Sequence, residues 1–289
     1  MRDCALTPHV KPGTMNDFSD LEQIALQIRR DILKMIYAAG TGHPGAALCA
    51  VEIVTALYFR EMRIDPANPD WPERDRFVLS KGHACPVLYA TLARRGYYPM
   101  CDLDNLRKIN CPLQGHPDMK KTCGVDMTAG SLGNGLSVGV GMALGARLNG
   151  LPSRIYVLLG DGELQEGMVW EAAMSASHYK LASLTAVVDW NGLQLDGRVE
   201  DVMNINPLGP KWRDFGWHVQ EIDGHSFPQV LGAFAEARRV TDKPSVILAH
   251  TVKGKGVSFM ENEVDWHGRT PSRDEMKQAM LELGEVWNG

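Results

Sequence analysis

The fold is decided by two apolar runs, each closed by a glycine-containing triplet. The first reads Ile-Tyr-Val-Leu-Leu-Gly-Asp-Gly (155–162), and the second is Leu-Thr-Ala-Val-Val (184–188), followed by Asn-Gly-Leu (191–193). The segment between them, Glu163–Lys180, reads as a helix. A strand, a helix and a second strand of these lengths predict a right-handed unit with parallel strands.

Both triplets are then expected at the carboxyl ends of neighbouring strands, where open α/β sheets bind ligands. Asp161 and Asn191, which lie thirty residues apart, offer oxygen ligands of the kind that Mg²⁺ prefers. Gly162 allows close approach of the backbone, and the start of the following helix favours phosphate. The pattern predicts a metal ion bridged to a diphosphate, although Gly-Asp-Gly by itself is more often a tight strand-to-helix turn.

Length and composition narrow the class of protein. The chain has 289 residues, is 44% hydrophobic and carries a net charge of −5, without a long basic run. Nucleic acid and anionic membrane are therefore not expected partners. No run of eighteen apolar residues occurs, and the first sixteen residues lack a signal-peptide pattern, so the expected location is the cytoplasm. Six scattered cysteines without a Cys-x-x-Cys pair do not favour zinc.

The order of elements favours one doubly wound α/β domain with a mostly parallel sheet. Residues 1–18 are predicted to be an N-terminal arm and residues 19–289 a single domain. Apolar spacing predicts helices over Asp20–Ala39, Ala46–Arg60 and Gly133–Leu148, the last of them rich in glycine. Such glycine density suggests close packing against another helix, within the chain or across a subunit boundary.

Five of the nine histidines lie beside a glycine: His43, His83, His116, His225 and His267. Such loops often bring an imidazole to a ligand, because glycine leaves the backbone unrestricted. Taken singly, each of these histidines is more often an ordinary loop residue. We interpret His225, in Asp-Gly-His, as structural.

The local text around these histidines and around the Asp161 motif resembles the transketolase family. The matching segments occur in the family's order. They are Gly-His-Pro-Gly-Ala (42–46), Ser-Lys-Gly-His-Ala (80–84), Gly-His-Pro-Asp (115–118), Thr-Ala-Gly-Ser-Leu-Gly-Asn-Gly-Leu (128–136), Gly-Asp-Gly-Glu-Leu-Gln-Glu-Gly-Met-Val-Trp-Glu-Ala (160–172), Val-Lys-Gly-Lys-Gly (252–256) and Trp-His-Gly (266–268). The resemblance implies the thiamin diphosphate-binding fold and transfer of a two-carbon ketol unit between sugar phosphates.

The resemblance also implies roles for individual residues. The implied Mg²⁺ ligands are the Asp161 and Asn191 side chains and the Leu193 carbonyl. The implied cofactor contacts are His83, Gly130, Ser131, Leu132, Gly162, Asn191, Lys253 and His267. The implied substrate-facing residues are His43, His116 and His267.

One departure from the family bears on the assembly. The carboxylate that activates the cofactor's aminopyrimidine lies, in this family, in a second domain, and the resemblance here covers only the first domain, over about residues 16–289. The expectation is therefore the cofactor-binding subunit of a two-subunit transketolase, a heterotetramer with a separate C-terminal subunit. Glu166 resembles interface glutamates of the family, or is an ordinary carboxylate in the first turn of a helix.

Three alternatives stay open at this stage. The chain is also compatible with a subunit of a deoxyxylulose-phosphate-synthase-like enzyme, although Gly-Glu-Leu-Gln-Glu-Gly (162–167) favours transketolase. It is compatible with a transketolase for an unusual sugar phosphate, because the phosphate-gripping residues are expected on the other chain. A non-catalytic cofactor-binding homologue is less favoured, because such a protein would not need His43 and His116.

Overall fold

Five parallel strands form the central sheet of the protein, for which a computed structural model describes residues 18–289. The strands in this part of the chain are β1 (Arg76–Leu79), β2 (Ile155–Gly160), β3 (Leu184–Trp190), β4 (Leu193–Gln194), β5 (Gly197–Arg198), β6 (His218–Asp223) and β7 (Ser245–His250). The sheet order is β1-β2-β3-β7-β6, and β4 and β5 form a separate antiparallel ribbon. The predicted α/β class with a mostly parallel sheet is confirmed.

The helices cover both faces of the sheet. In chain order they are α1 (Ser19–Ala39), α2 (Pro44–Leu48), α3 (Val51–Ala56), α4 (Cys85–Arg95), α5 (Asn134–Leu148), α6 (Gly167–His178), α7 (Val199–Met203), α8 (Leu208–Asp214), α9 (Phe227–Arg239) and α10 (Arg273–Glu282). One core contains residues of α1 to α4, α9 and α10. The opposite core contains residues of α5, α6 and α8.

The sheet is buried on both sides because successive strand residues point to opposite faces. In β2, Tyr156 and Leu158 pack into the first core, whereas Val157 and Leu159 pack into the second. The pairing of β2 with β3 is parallel and places Gly160 opposite Asp189. The two motif triplets therefore lie at the same edge of the sheet, as the sequence pattern predicts.

Two helix predictions differ from the structure. The helix predicted over Ala46–Arg60 is divided into α2, α3 and a π-helical turn, Leu57–Glu61. The helix predicted from Glu163 begins only at Gly167, after a short 3-10 turn over Gly162–Gln165 and an extended Glu166. The buried Glu163 side chain accepts hydrogen bonds from the Gly133 and Gly160 amides, and these contacts reach outside the predicted helix.

The predicted N-terminal arm lies outside the described residues except for Phe18. Within the described range, no helix has the length and apolar character needed to cross a membrane.

Candidate active site

A cavity of ≈ 440 Å³ opens at the carboxyl ends of β2, β3 and β7. Eight of the predicted site residues line it: His83, Leu132, Asp161, Gly162, Asn191, Leu193, Lys253 and His267. The other four, His43, Gly130, Ser131 and His116, are not among its lining residues. The cavity thus combines carboxylate, amide and carbonyl oxygens with cationic and imidazole donors.

Asp161 and Asn191 belong to one hydrogen-bonded turn system across two strand ends. Asp161 accepts hydrogen bonds from the Gly192 amide at 2.6 Å and from the Gly162 amide at 2.8 Å. The Asn191 Oδ1 atom accepts one from the Leu193 amide at 3.1 Å. Burial raises the pKa of Asp161 to about 6, and the negative charge of Asp189 adds to this effect. A carboxylate placed in this way gains from a bound cation.

Three histidines form a cluster, and two of them, His83 and His267, line the cavity. The ring centroids of His43, His83 and His267 lie 5.2–5.5 Å apart. Burial, reinforced by neighbouring positive charge, lowers the pKa to about 4 for His43 and His267 and to about 2 for His83. All three imidazoles are therefore neutral near pH 7, and each can present an N–H to a ligand oxygen.

Lys253 connects this cluster to the metal-ligand candidates. Its ammonium group lies 2.9 Å from His267 Nδ1 and 3.4 Å from the Leu193 carbonyl oxygen. The ammonium can only donate, so His267 Nδ1 is the acceptor and its proton is on Nε2. Burial lowers the pKa of Lys253, and the residue is 1% exposed.

The Lys253 turn fits closely against the loop of His43. A Cβ atom on Gly45 would lie 2.8 Å from the Trp266 carbonyl oxygen and 3.1 Å from the Lys253 side chain. Only glycine permits this approach, which brings the segments of His43, Lys253 and His267 together.

The charge of Arg107 acts on both His43 and His116. The Arg107 guanidinium donates a hydrogen bond to the Thr41 hydroxyl at 3.1 Å. Burial and then the Arg107 charge lower the pKa of both histidines. His43 Nδ1 is buried and has no hydrogen-bond partner among residues 18–289, whereas His116 is exposed. An orphaned polar atom of this kind is satisfied when a ligand supplies the missing partner.

The Gly130–Leu132 segment lies at the edge of the site. A Cβ on Gly82 would approach the Gly130 amide nitrogen to 3.2 Å, so this loop packs directly on the turn before His83. Ser131 is exposed, and Leu132 lines the cavity while 36% exposed. Glu166, also exposed, lines the same cavity.

A buried ion pair beneath the cavity was not predicted from the sequence. Lys81 donates a hydrogen bond to Asp189, which also accepts from Thr251 and, at 2.9 Å, from the Cys49 thiol. Burial alone would lower the pKa of Lys81, but the Asp189 carboxylate outweighs it and raises that pKa above its ordinary value. Asn191 donates to the same carboxylate at 3.2 Å, so the pair orients a predicted metal ligand.

Glu163 is a further site residue that was not predicted from the sequence. Its carboxylate accepts hydrogen bonds from the Ser80 hydroxyl, from the Gly133 amide at 2.8 Å and from the Gly160 amide at 3.0 Å. Burial raises its pKa. It thereby joins the Asp161 turn to the loops before His83 and after Leu132. Its place directly after Gly-Asp-Gly was the available signal.

Comparison with known proteins identifies the family. The family model described as transketolase, thiamine diphosphate binding domain, matches residues 21–288. The 6-deoxy-6-sulfo-D-fructose transketolase subunit SqwG of Clostridium sp. (strain MSTE9) is 48% identical over 264 residues, which are 91% of this chain and 96% of that subunit. An apulose-4-phosphate transketolase subunit from Actinobacillus succinogenes is 42% identical over 267 residues, 92% of this chain and 96% of that relative.

Comparison with solved structures identifies the same family, in proteins that are longer than this chain. The crystal structure of transketolase from Campylobacter jejuni matches with a TM-score of 0.88 and 31% identity, over 93% of this chain. This chain spans only 43% of that one. The chain therefore belongs to the transketolase family, carries that family's thiamine diphosphate-binding domain, and corresponds in extent to the subunits of transketolases that are named as such.

Proposed function

We propose that this chain binds thiamin diphosphate and Mg²⁺ and, together with a second subunit, transfers a two-carbon ketol unit from a ketose phosphate to an aldose phosphate. The observation that carries the proposal is the cavity at three strand ends. There the oxygens of Asp161, Asn191 and Leu193 lie beside the donors of Lys253 and His267. One side suits a divalent cation, and the other suits an anion.

The chemistry of this donor set fits the cofactor. Asp161, the Asn191 side chain and the Leu193 carbonyl are hard oxygen ligands, as Mg²⁺ requires. His83, Lys253 and His267 are assigned to the diphosphate and thiazolium side, with the Gly162 backbone close by. Gly130, Ser131 and Leu132 are assigned to the rim of the cofactor site.

When bound, thiamin diphosphate supplies the carbanion and the electron sink for ketol transfer. The residues of this chain position the substrate and manage its oxygens. His43, His116 and His267 are assigned to the substrate carbonyl and hydroxyls. The lowered pKa values of these histidines keep them neutral, so that each can donate an N–H as negative charge develops on oxygen. Loss of one such donor typically costs on the order of 10²–10³ in rate.

The second subunit is proposed to close the cavity. Apolar side chains around its mouth are exposed, among them Leu195 at 63% and Val202 at 43%. A partner that covers these residues would exclude water and could bring the carboxylate that the family supplies from its second domain. We propose a heterotetramer with two copies of each subunit, located in the cytoplasm.

A modified or unusual sugar is the second candidate for the donor substrate. Two relatives that match this chain over nearly their full length are named for 6-deoxy-6-sulfo-D-fructose and for apulose 4-phosphate. Assays should therefore compare these two ketoses with fructose 6-phosphate and xylulose 5-phosphate. The donor with the highest kcat/KM identifies the substrate class.

The two-subunit proposal is tested by identifying the polypeptide that co-purifies with this chain. Ketol transfer is then measured for the chain alone and for the chain mixed with that partner. We expect transfer only from the mixture, and transfer by this chain alone would contradict the two-subunit proposal. Cofactor binding without transfer, in the presence of the partner and all four donors, would favour a non-catalytic homologue.

The metal assignment has its own test. Asp161→Ala should weaken Mg²⁺-dependent binding of thiamin diphosphate by at least about 100-fold. Replacing a residue that only contacts a metal ligand already lowers metal affinity about 10- to 100-fold. Isothermal titration calorimetry with and without Mg²⁺ measures this. Equal affinity of the two proteins would remove Asp161 from the metal site.

A further inference from the structure

A charged cluster that the proposed mechanism does not use lies behind the Lys253 turn, with two buried members and one half-buried histidine. It consists of Arg29 on α1, Glu52 on α3 and His225 in the loop after β6. Arg29 and Glu52 are 6% and 8% exposed. Arg29 Nη2 lies 2.7 Å from Glu52 Oε1, so the two charges are paired. We name this group the Arg29–Glu52–His225 cluster.

The hydrogen-bond partners of His225 determine its tautomer. The Val252 backbone N–H donates to His225 Nε2 at 2.8 Å. A backbone N–H can only donate, so Nε2 carries a lone pair and the proton lies on Nδ1. That Nδ1–H then donates to Glu52 Oε2 at 2.9 Å. The carboxylate thus selects the form of the imidazole that can accept from Val252.

The same cluster also holds the far side of the turn. Arg29 Nε donates to the Lys255 carbonyl at 3.0 Å. The cluster therefore holds both Val252 and Lys255 by hydrogen bonds to their backbone atoms. Between them, the Gly254 amide donates a hydrogen bond to the Gly45 carbonyl at 3.2 Å. Lys253 projects from this held turn and reaches His267 Nδ1 and the Leu193 carbonyl oxygen.

We propose that His225, as its neutral Nδ1–H tautomer, is a positioning residue whose Nε2 holds the Val252 amide and so aims Lys253 into the cofactor cavity. The proposal rests on the proposed function, which assigns Lys253 to the diphosphate. It adds that the Arg29–Glu52–His225 cluster sets the position of that lysine before any cofactor arrives.

Two neutral substitutions separate the two hydrogen bonds of the imidazole. In His225→Gln, the longer side chain can place its carbonyl oxygen near the position of Nε2 and accept from Val252. In His225→Asn, the shorter amide lies near the position of Nδ1, so it can contact Glu52 but leaves the Val252 N–H without an acceptor. Both variants are uncharged and polar, so each serves as the control for the other.

The first measurement uses the cofactor-free chain and follows amide hydrogen exchange of residues 252–256. We expect faster exchange in His225→Asn than in His225→Gln, which should stay close to the unsubstituted chain. The second is titration with thiamin diphosphate and Mg²⁺. There His225→Asn should bind about tenfold more weakly. The free variant can open the turn and expose the partly buried Val252 N–H to water. Binding must then close the turn again, at a cost of about 1.4 kcal/mol.

Equal exchange rates and equal affinities of the two variants would overturn the proposal. If His225 had a merely structural role, the two substitutions would have the same effect. Lys253→Met, measured in the same titration, tests the underlying assignment separately. If Lys253→Met binds the cofactor normally while His225→Asn still exchanges faster, the turn is held by His225 but the assignment of Lys253 to the diphosphate is wrong.

Discussion

Replacing Lys81 with Met removes the positive partner of the most deeply buried carboxylate near the site. Lys81 and Asp189 side chains are 3% and 0% exposed, and the ammonium also donates to the Ala46 carbonyl at 2.9 Å. Met fills much of the space of the lysine stem but supplies no charge. Within the described part of the chain, the donors left to Asp189 are neutral, chiefly Thr251 and Cys49.

The expected cost follows from this isolation. Breaking a buried ion pair by removing one partner typically costs about 3–5 kcal/mol, because an uncompensated charge stays in the interior. A matched substitution at the surface is Lys277→Met. That ammonium lies 3.6 Å from Asp274, and the two side chains are 50% and 94% exposed. An exposed pair contributes about 0–1 kcal/mol.

Urea unfolding followed by tryptophan fluorescence measures both variants. We expect Lys81→Met to lose several times more stability than Lys277→Met. The double variant Lys81→Met/Asp189→Asn, which lacks both charges, should be more stable than Lys81→Met alone. A loss in Lys81→Met no larger than in Lys277→Met would refute the reasoning that this pair is held by its buried charges.

Two further predictions concern the histidine cluster and the turn beside it. The pKa values of His43 and His267 lie near 4, below the ordinary histidine value of 6.5. Between these pH values the unfolded chain binds more protons, so stability should fall as the pH falls from about 6.5 to about 4. Replacing both histidines with Gln should flatten this dependence of the urea midpoint, and an unchanged slope would contradict the pKa assignment. Gly45→Ala places a Cβ 2.8 Å from the Trp266 carbonyl oxygen and should cost about 1–3 kcal/mol, with weaker cofactor binding. Gly141→Ala on α5 should be neutral or stabilising by up to about 1 kcal/mol, because no described atom outside the local helix backbone lies within 4 Å of the added carbon. Similar losses in the two variants would contradict the close-contact explanation.

Local patterns were sufficient for the sheet and for the position of the motif triplets. The apolar runs before Asp161 and Asn191 required parallel strands, and parallel neighbours bring their carboxyl ends to one edge. The observed pairing of Gly160 with Asp189 agrees with this. The roles that the family resemblance implies for individual side chains remain predictions.

Helix boundaries were harder to predict from the sequence, because some helices are buried on every side. Every residue of α3, Val51–Ala56, is buried, so no polar face marks where the predicted longer helix is interrupted. The early start predicted for the helix after Asp161 failed for another reason. Glu163 is held by amides of Gly133 and Gly160, and Gly133 lies thirty residues earlier in the chain.

The strand periodicity and the glycine-flanked polar residues are patterns among residues that are close together in the sequence. The sequence by itself was therefore sufficient to recognise them. The partners of Lys81 and His225 could not be recognised in this way, because they are distant in the sequence. Asp189 lies 108 residues from Lys81, and Glu52 lies 173 residues from His225. A lysine in a sequence is expected at the surface, and it is the packing of Lys81 between Asp189 at the end of β3 and Ala46 in α2 that removes it from water. Local chemistry therefore predicted where ligands are expected to bind, and tertiary packing decided which charges are buried beneath that predicted site.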